Sequence, residues 1–346
     1  MLQRKKIRIR TFVLGINHGQ LLQAKGMSDL LSETFPDALV KLDLYHNHLF
    51  KEIVSQVRKL SFVKCITLLT NWVVSCRYAL HFSKRDLTVF GADTIWMYNH
   101  PIAPNDDYFF GADVKTGQLV AVCPSNAGSP YPQSNIIHSL LQRFKFVGVR
   151  DRHTAEFVED LIQKHVTVVC DPAFFIKRKS AKKTQSSVGR KQLSIYANSC
   201  ANIKVQLEIL DKSLSLEFPS LVYLGYFPNF YTNITKQFLG IFGVLDEVEK
   251  SKILITDTFH GVIMALMTKT PFVLVKSDIV MSRLQGPILD CFDPCRICEL
   301  HELNLKLKDQ RIYDDCDLND GKLEEYVRVS KDHICRMLVN INESIK

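Results

Sequence analysis

The sequence predicts an α/β protein made of two Rossmann-like halves. Three observations predict it. Short apolar runs of strand character alternate with longer segments of helical spacing. A basic, apolar-poor stretch at 177–191 interrupts that alternation near the middle. The length, 346 residues, suits about two domains. Hydrophobic residues at 46% against 23% charged give enough apolar side chain for packed cores and exclude wholesale disorder.

The elements follow in order. Ile7 to Leu14 is a β-type run. Gln20 to Phe35 has helical spacing through Leu21, Leu22, Met27, Leu30 and Leu31. Strands are expected at Ala38 to Leu44, Leu87 to Phe90, Leu119 to Cys123, Phe146 to Val149 and Val166 to Val169, with a helix from Arg152 to about Lys164. After the basic stretch the series resumes. Strands are expected at Leu193 to Tyr196, Leu221 to Leu224, Ile253 to Thr256 and Phe272 to Val275, with helices between them, including Thr235 to Glu249. The last segment, Lys322 to Ile345, has apolar residues at 323, 326, 327, 334, 337, 338, 341 and 345, one apolar face of a helix.

This pattern divides the chain into an N-terminal Rossmann-like domain (1–176), a basic linker or loop (177–191), a C-terminal Rossmann-like domain (192–320) and an amphipathic helix (321–346). Two such domains are expected to face a cleft, with ligands at the carboxyl ends of the parallel strands. By analogy with other two-Rossmann proteins, the last helix is expected to pack back on the first domain.

Charge and targeting narrow the partners. Lys and Arg number 44 against 36 Asp and Glu, a net +8. Residues 1–10 carry five positive charges and 177–191 carry seven, leaving 32 basic against 36 acidic elsewhere. That distribution argues against a broad nucleic-acid surface. The two clusters read as solvated ends and loops, or as peripheral contacts with anionic lipid. MLQRKKIRIR is followed by an apolar run too short for a signal peptide. The longest apolar stretch, Leu60 to Phe82, is broken by Lys64, Asn71 and Arg77, so no membrane span is expected. The ten Cys are scattered, several in apolar runs (Cys65, Cys170, Cys335), as in a protein with reduced thiols. A cytoplasmic protein, at most peripheral at the inner face of a membrane, is expected. The sequons at Asn233 and Asn342 then carry no meaning.

Three strand ends are candidates for chemistry. Ile253 to Val275 reads strand, turn, helix, turn, strand, with Thr256-Asp257-Thr258-Phe259-His260-Gly261 where the helix begins. Backbone N–H groups there favour anions, and a His can move protons near neutrality. The plainer alternative is that Asp257 or Thr258 caps the helix and His260 packs on the sheet. Arg150, in Val149-Arg150-Asp151, can hold a phosphate or carboxylate in bidentate fashion, or form a salt bridge instead. The loop from Gly15 to Gln20, with Asn17 and Gly19, lacks the spacing of a nucleotide-binding glycine loop and suits a tight strand-to-helix turn.

Taken in order, these segments resemble the polysaccharide pyruvyl transferase family. Residues 15–20 look like its N-terminal Gly/Asn turn. Phe90-Gly91-Ala92-Asp93-Thr94-Ile95-Trp96 resembles its G-S-D-x-x-W segment. Val149-Arg150-Asp151 is similar to its V-R-[ED] strand end, and Cys170-Asp171-Pro172 to its D-P strand end. Thr256 to Gly261 looks like T-D-[SR]-[FL]-H-G, and Pro271-Phe272 and Ser282-Arg283-Leu284 also fit. The resemblance implies a two-domain GT-B-like fold and transfer of the enolpyruvyl unit of phosphoenolpyruvate to a sugar diol. The products are a cyclic pyruvate ketal and phosphate, in cell-surface glycan biosynthesis. It implies His260 as acid/base, Arg150 as anion clamp and Asp257 as its orienting or capping partner. Asn17, Gly19, Asp93, Asp171, Thr258, Phe259, Gly261 and Arg283 are the implied substrate contacts. It further implies phosphoenolpyruvate as donor with no cofactor and no metal, and a glycan or lipid-linked sugar as acceptor. One departure stands out. Some relatives have Arg where this chain has Thr258, and others a small hydroxyl residue. Ala92 for the usual Ser is a smaller change.

Rival readings remain. Cys291, Cys295 and Cys298 have the C-x3-C-x2-C spacing of a radical SAM iron–sulfur site, but lie far too late in the chain. With Cys316 they suit a zinc site only without the usual second C-x2-C pair. The functional alternatives are a nucleotide-sugar glycosyltransferase on the same fold, or a non-catalytic glycan-binding relative.

Overall fold

The computed structural model describes residues 4–13, 17–43, 86–100, 107–132, 135–178, 190–198, 203, 218, 220–224, 235–236, 240–284, 287–313 and 321–343. The Leu60 to Phe82 stretch, Gly15, most of the basic stretch, Cys316 and Asn233 lie outside them. The chain forms two compact units. One comprises Met1–Lys177 and Tyr326–Lys346, the other Arg178–Glu325.

The first unit is a parallel sheet in the order β2-β1-β3-β4-β5-β6. Its strands are β1 (Lys6–Arg10), β2 (Leu39–Asp43), β3 (Leu87–Gly91), β4 (Gln118–Val122), β5 (Phe144–Val149) and β6 (Thr167–Val168). β3 and the last four residues of β4 are buried, so they read as near-continuous apolar runs. β1 pairs with β2 on one side and β3 on the other, so the order reverses there. Helices α1 (His18–Thr34), α2 (Asn135–Leu141) and α3 (Arg152–Ile162) alternate with the strands.

Helix α1 presses unusually close to the chain after β6. A Cβ at Gly26 would lie 1.7 Å from the Pro172 carbonyl oxygen, so only glycine fits without moving backbone. Ile334, Leu338 and Ile341 of the last helix, α8 (Lys322–Glu343), enter the core formed by Ile7, Ile9, Leu30 and Val120. The final helix therefore packs on the first unit. Ser330 Oγ accepts from Cys170 N at 3.0 Å, and Lys331 reaches Glu33 at 2.9 Å, fixing its register.

The basic N-terminus departs from the expectation of a solvated end. It forms β1, and Arg8 and Arg10 are 5% and 1% exposed. Arg8 Nη1 and Arg10 Nε donate to one Asp43 oxygen at 2.7 and 2.9 Å. Arg10 also donates to both Asp113 oxygens and stacks on Tyr108, 3.9 Å from the ring centroid. A buried cation needs such partners. Two of the five charges are thus neutralised inside the fold and offer nothing to an anionic surface.

The second unit repeats the plan in the order β12-β11-β10-β7-β8-β9, again parallel. Its strands are β7 (Gln192–Tyr196), β8 (Ser220–Leu224), β9 (Thr235–Lys236), β10 (Ser251–Thr256), β11 (Phe272–Val275) and β12 (Ile297–Cys298). Helices α4 (Ile241–Lys250), α5 (Phe259–Thr268), α6 (Asp278–Arg283) and α7 (Leu303–Lys306) connect them. Two details differ from the sequence expectation. Thr235–Lys236 is a strand, and the helix expected from Thr235 starts at Ile241 behind Gly240. Cys298, in the candidate metal spacing, lies in edge strand β12. Among the described residues no group of three or more His, Cys, Asp or Glu side chains could hold a metal. None of the described helices is long and apolar enough to cross a membrane.

Candidate functional site

In the second unit the strand order reverses between β7 and β10. Parallel sheets open a crevice at such a point. The turn from Thr256 to Gly261 leaves β10 at this crevice. Asp257 Oδ1 accepts from Asn198 N at 2.6 Å, tying the end of β10 to the end of β7. The helix cap is Thr258, whose Oγ1 accepts from Gly261 N at 3.0 Å. Of the two capping alternatives, the structure selects Thr258. Its hydroxyl also lies 3.0 Å from that of Thr256, which accepts from Thr258 N at 3.1 Å. The Thr258 hydroxyl is therefore engaged in the turn.

His260 occupies the first turn of α5 and is 9% exposed, its ring at 83° to that of Phe259 with 5.2 Å between centroids. It is thus buried in the first turn of a helix, where backbone N–H groups favour anions. Phe259 is buried, and Gly261 packs against Thr256. Arg283 is half-buried at the end of α6, which Ser277 caps.

In the first unit the order reverses between β1 and β3. Asn17 caps α1 there, with Oδ1 accepting from Gly19 N at 2.9 Å. Ala92 and Asp93, directly after β3, both have left-handed backbones (φ 64° and 63°). Non-glycine residues in that region cost of order 1 kcal/mol or more each and cluster where geometry serves function. Gln20 Nε2 donates to Asp93 Oδ2 at 2.7 Å, and one turn later Gln23 Nε2 donates to Asp171 Oδ2 at 2.6 Å. One face of α1 thereby holds the carboxylates that follow β3 and β6. Asp171 also accepts from Ala173 N at 2.9 Å, capping the 3-10 turn Pro172–Phe175.

Arg150 leaves β5 with its N–H bonded to Pro124 O at 3.1 Å and its side chain 5% exposed. Asp151 caps α3, its Oδ1 accepting from Thr154 N and Oγ1. The field at this edge registers on Cys123, whose thiol is pushed well up, first by burial and next by Asp171, with Arg150 opposing.

The structure thus gathers the expected residues into two groups. Asn17, Gly19, Asp93, Arg150 and Asp171 follow strand ends of the first unit. Asp257, Thr258, Phe259, His260 and Gly261 follow the end of β10 in the second, where Arg283 closes α6, the helix after β11. Sequence reasoning gave Gln20 and Thr256 no role of their own within the segments it singled out, and missed Gln23 and His100. The two glutamines did carry a signal, as polar residues on the apolar face of a periodic helix. His100, between Asn99 and Pro101, carried none.

Comparisons with known proteins bear on the family and the fold. The family model of polysaccharide pyruvyl transferase matches residues 17–278. No curated protein matches the chain by sequence. Among solved structures, S. aureus MnaA in a co-structure with UDP has a TM-score of 0.57 at 11% identity, covering 98% of this chain and 97% of that one. A putative UDP-N-acetylglucosamine 2-epimerase from Listeria monocytogenes has a TM-score of 0.55 at 10% identity, covering 99% and 97%. MurG of Acinetobacter baumannii has a TM-score of 0.50 at 10% identity, covering 98% and 100%. At such identities the likeness shows the fold alone, a two-domain GT-B-like α/β arrangement.

Proposed function

The chain belongs to the polysaccharide pyruvyl transferase family, and from that premise we propose that it moves the enolpyruvyl group of phosphoenolpyruvate onto a sugar diol. Two sugar oxygens bond to C2 of the donor and the C2–O–phosphate bond breaks. The methylene carbon gains a proton and becomes methyl. Of the two hydroxyl protons, one is balanced by that methyl and the other leaves with phosphate. The product is a cyclic pyruvate ketal on a polysaccharide or its lipid-linked precursor.

In this reading His260 exchanges protons with the methylene carbon and the attacking hydroxyl. Arg150 holds the phosphate or carboxylate, where a planar guanidinium offers two parallel hydrogen bonds. Asp257 fixes the turn through Asn198 and so keeps His260 in place. Arg283 supplies a second cation in place of the Arg that some relatives carry at the position of Thr258. Asn17, Gly19, Asp93, Asp171, Thr258, Phe259 and Gly261 shape the substrate surfaces. A membrane-linked acceptor accords with a protein acting at the inner face of a membrane. The observation that carries the reading is the T-D-T-F-H-G turn at the β7/β10 reversal, within the span of the family match.

The test is phosphate release from phosphoenolpyruvate in the presence of a panel of glycans, with the ketal identified by mass spectrometry. Wild type is expected to release phosphate only with an acceptor, and His260→Ala to abolish release. Retained turnover in His260→Ala removes the assigned role. Nucleoside diphosphate release from a nucleotide sugar, with phosphoenolpyruvate untouched, selects the glycosyltransferase alternative.

A further inference from the structure

The loop after β4 is locally strained and grips the chain on both sides of Arg150. Cys123 and Ala127 hold left-handed backbones at φ 65° and 52°, although neither is glycine. Such strain persists where the surroundings over-determine it, and it collects at functional sites. Two bonds tie this loop to the chain leaving β5, one in each direction. Arg150 N donates to Pro124 O at 3.1 Å, and Asn126 N donates to Thr154 Oγ1 at 2.9 Å. The Thr154 hydroxyl in turn donates to Asp151 Oδ1 at 2.7 Å and lies 3.2 Å from Asn126 Oδ1. Gly128 N donates to that same Asn126 oxygen at 2.9 Å, which orients the amide. Asn126, Asp151 and Thr154 are all buried. Capping α3 needs only the Thr154 N–H, which donates to Asp151 Oδ1 at 2.9 Å. The Thr154 hydroxyl is thus left for a second task, linking Asn126 to Asp151.

We infer that Asn126 and Thr154 are positioning residues for Arg150, acting through Asp151. The inference rests on the role that the proposed function gives Arg150, as clamp for the phosphate or carboxylate of the donor. A side chain leaves its Cα in a direction set by the two flanking peptide units. Pro124 holds the unit before Arg150. Asp151 holds the unit after it, being extended (φ −141°, ψ 161°) with its carboxylate anchored. Turning that unit would pull Asp151 off the Thr154 hydroxyl. With both units held, the guanidinium has only its own side-chain rotamers to explore. A clamp that makes two parallel hydrogen bonds tolerates little displacement.

The experiment is isothermal titration of phosphoenolpyruvate into the full chain, together with NMR of the Arg150 Nε–H signal, assigned by its loss in Arg150→Lys. Thr154→Val keeps the backbone cap and removes the hydroxyl. It should weaken binding about tenfold to hundredfold at unchanged stoichiometry, and shift the Arg150 signal. Thr154→Ser restores the hydroxyl and should bind within about threefold of wild type, with the signal in place. A merely structural role would instead unfold a fraction of the protein, lowering the stoichiometry and leaving the affinity of the rest unchanged. Asn126→Ala keeps the backbone bond to Thr154, so it should act in the same direction but more weakly, and it replaces the valine variant should that one not fold. An unmoved Arg150 signal in the folded variants, lost stoichiometry at constant affinity, or Thr154→Ser as defective as Thr154→Val overturns the inference. Phosphoenolpyruvate bound alike by wild type and Thr154→Val, but lost in Arg150→Lys, overturns it too and leaves the clamp standing. A wild type that binds no phosphoenolpyruvate, with the Arg150 signal still moved by Thr154→Val and not by Thr154→Ser, sinks the donor assignment and leaves the positioning role standing.

Discussion

Gly261 lies directly against Thr256. A Cβ built on the glycine would stand 1.9 Å from the threonine hydroxyl oxygen and 2.6 Å from its Cβ. The helix bearing His260 can therefore start where it does only because residue 261 has no side chain. Gly261→Ala is expected to cost about 1–3 kcal/mol through overpacking. Part should return in Gly261→Ala/Thr256→Ala, which removes the nearer atom. Urea denaturation of the four proteins in this cycle checks it. A tolerated single substitution would show that the close approach is not maintained in solution.

Thr258 closes the same turn. Its hydroxyl accepts from Gly261 N at 3.0 Å. Thr258→Ala should lose about 1 kcal/mol, and Thr258→Ser should retain the cap. Thr258→Arg restores the cation of some relatives but removes the hydroxyl, so it should lose about as much as alanine. Thermal unfolding of the three variants separates capping from charge. An arginine variant as stable as wild type would show that a different contact holds the turn.

The alternation of elements was legible because each strand end carries a local breaker, as at Gly91, Pro124 and Asp171. Strands β3 and β11 and the helix from Arg152 lie close to where the apolar runs put them. The start of α4 was misplaced because Thr235–Lys236 pairs with β8, a non-local contact that no local period encodes. The basic N-terminus was misread for the same reason. The partner of Arg8 and Arg10 is Asp43, more than thirty residues away. Of the candidate site, the strand-end residues were legible by type and position. The threads joining them, Gln20 to Asp93 and Gln23 to Asp171, depend on which face of α1 is buried and against which strand.

Asp43 carries two guanidiniums and is itself buried. Asp43→Ala should cost about 3–5 kcal/mol, because it strands buried cations. Asp113 pairs with Arg10 too, yet its side chain is 47% exposed. Water can replace it, so Asp113→Ala should cost less than about 1 kcal/mol. Chemical denaturation of both variants checks the contrast. Equal losses would mean that burial does not decide the worth of these pairs.

Cys298 offers a pH test of the second core. Its thiol is pushed from an ordinary 9.0 to about 11, chiefly by burial, with Lys306 opposing and Glu302 and Glu299 adding to it. Between those values the unfolded thiol releases its proton while the folded one keeps it. The folded state then binds more protons, so stability falls as pH rises from about 9 to about 11. The loss is of the order of 2 kcal/mol across that window. Below it both states are protonated and Cys298 contributes no slope. Cys123, also pushed up, adds a parallel loss, so the comparison must be with Cys298→Ala rather than with a flat line. Stability by urea denaturation at pH 8 to 11, under reducing conditions, should decline less steeply in Cys298→Ala than in wild type. Identical slopes would mean that the Cys298 thiol is open to water, and with it the edge where β12 meets β11.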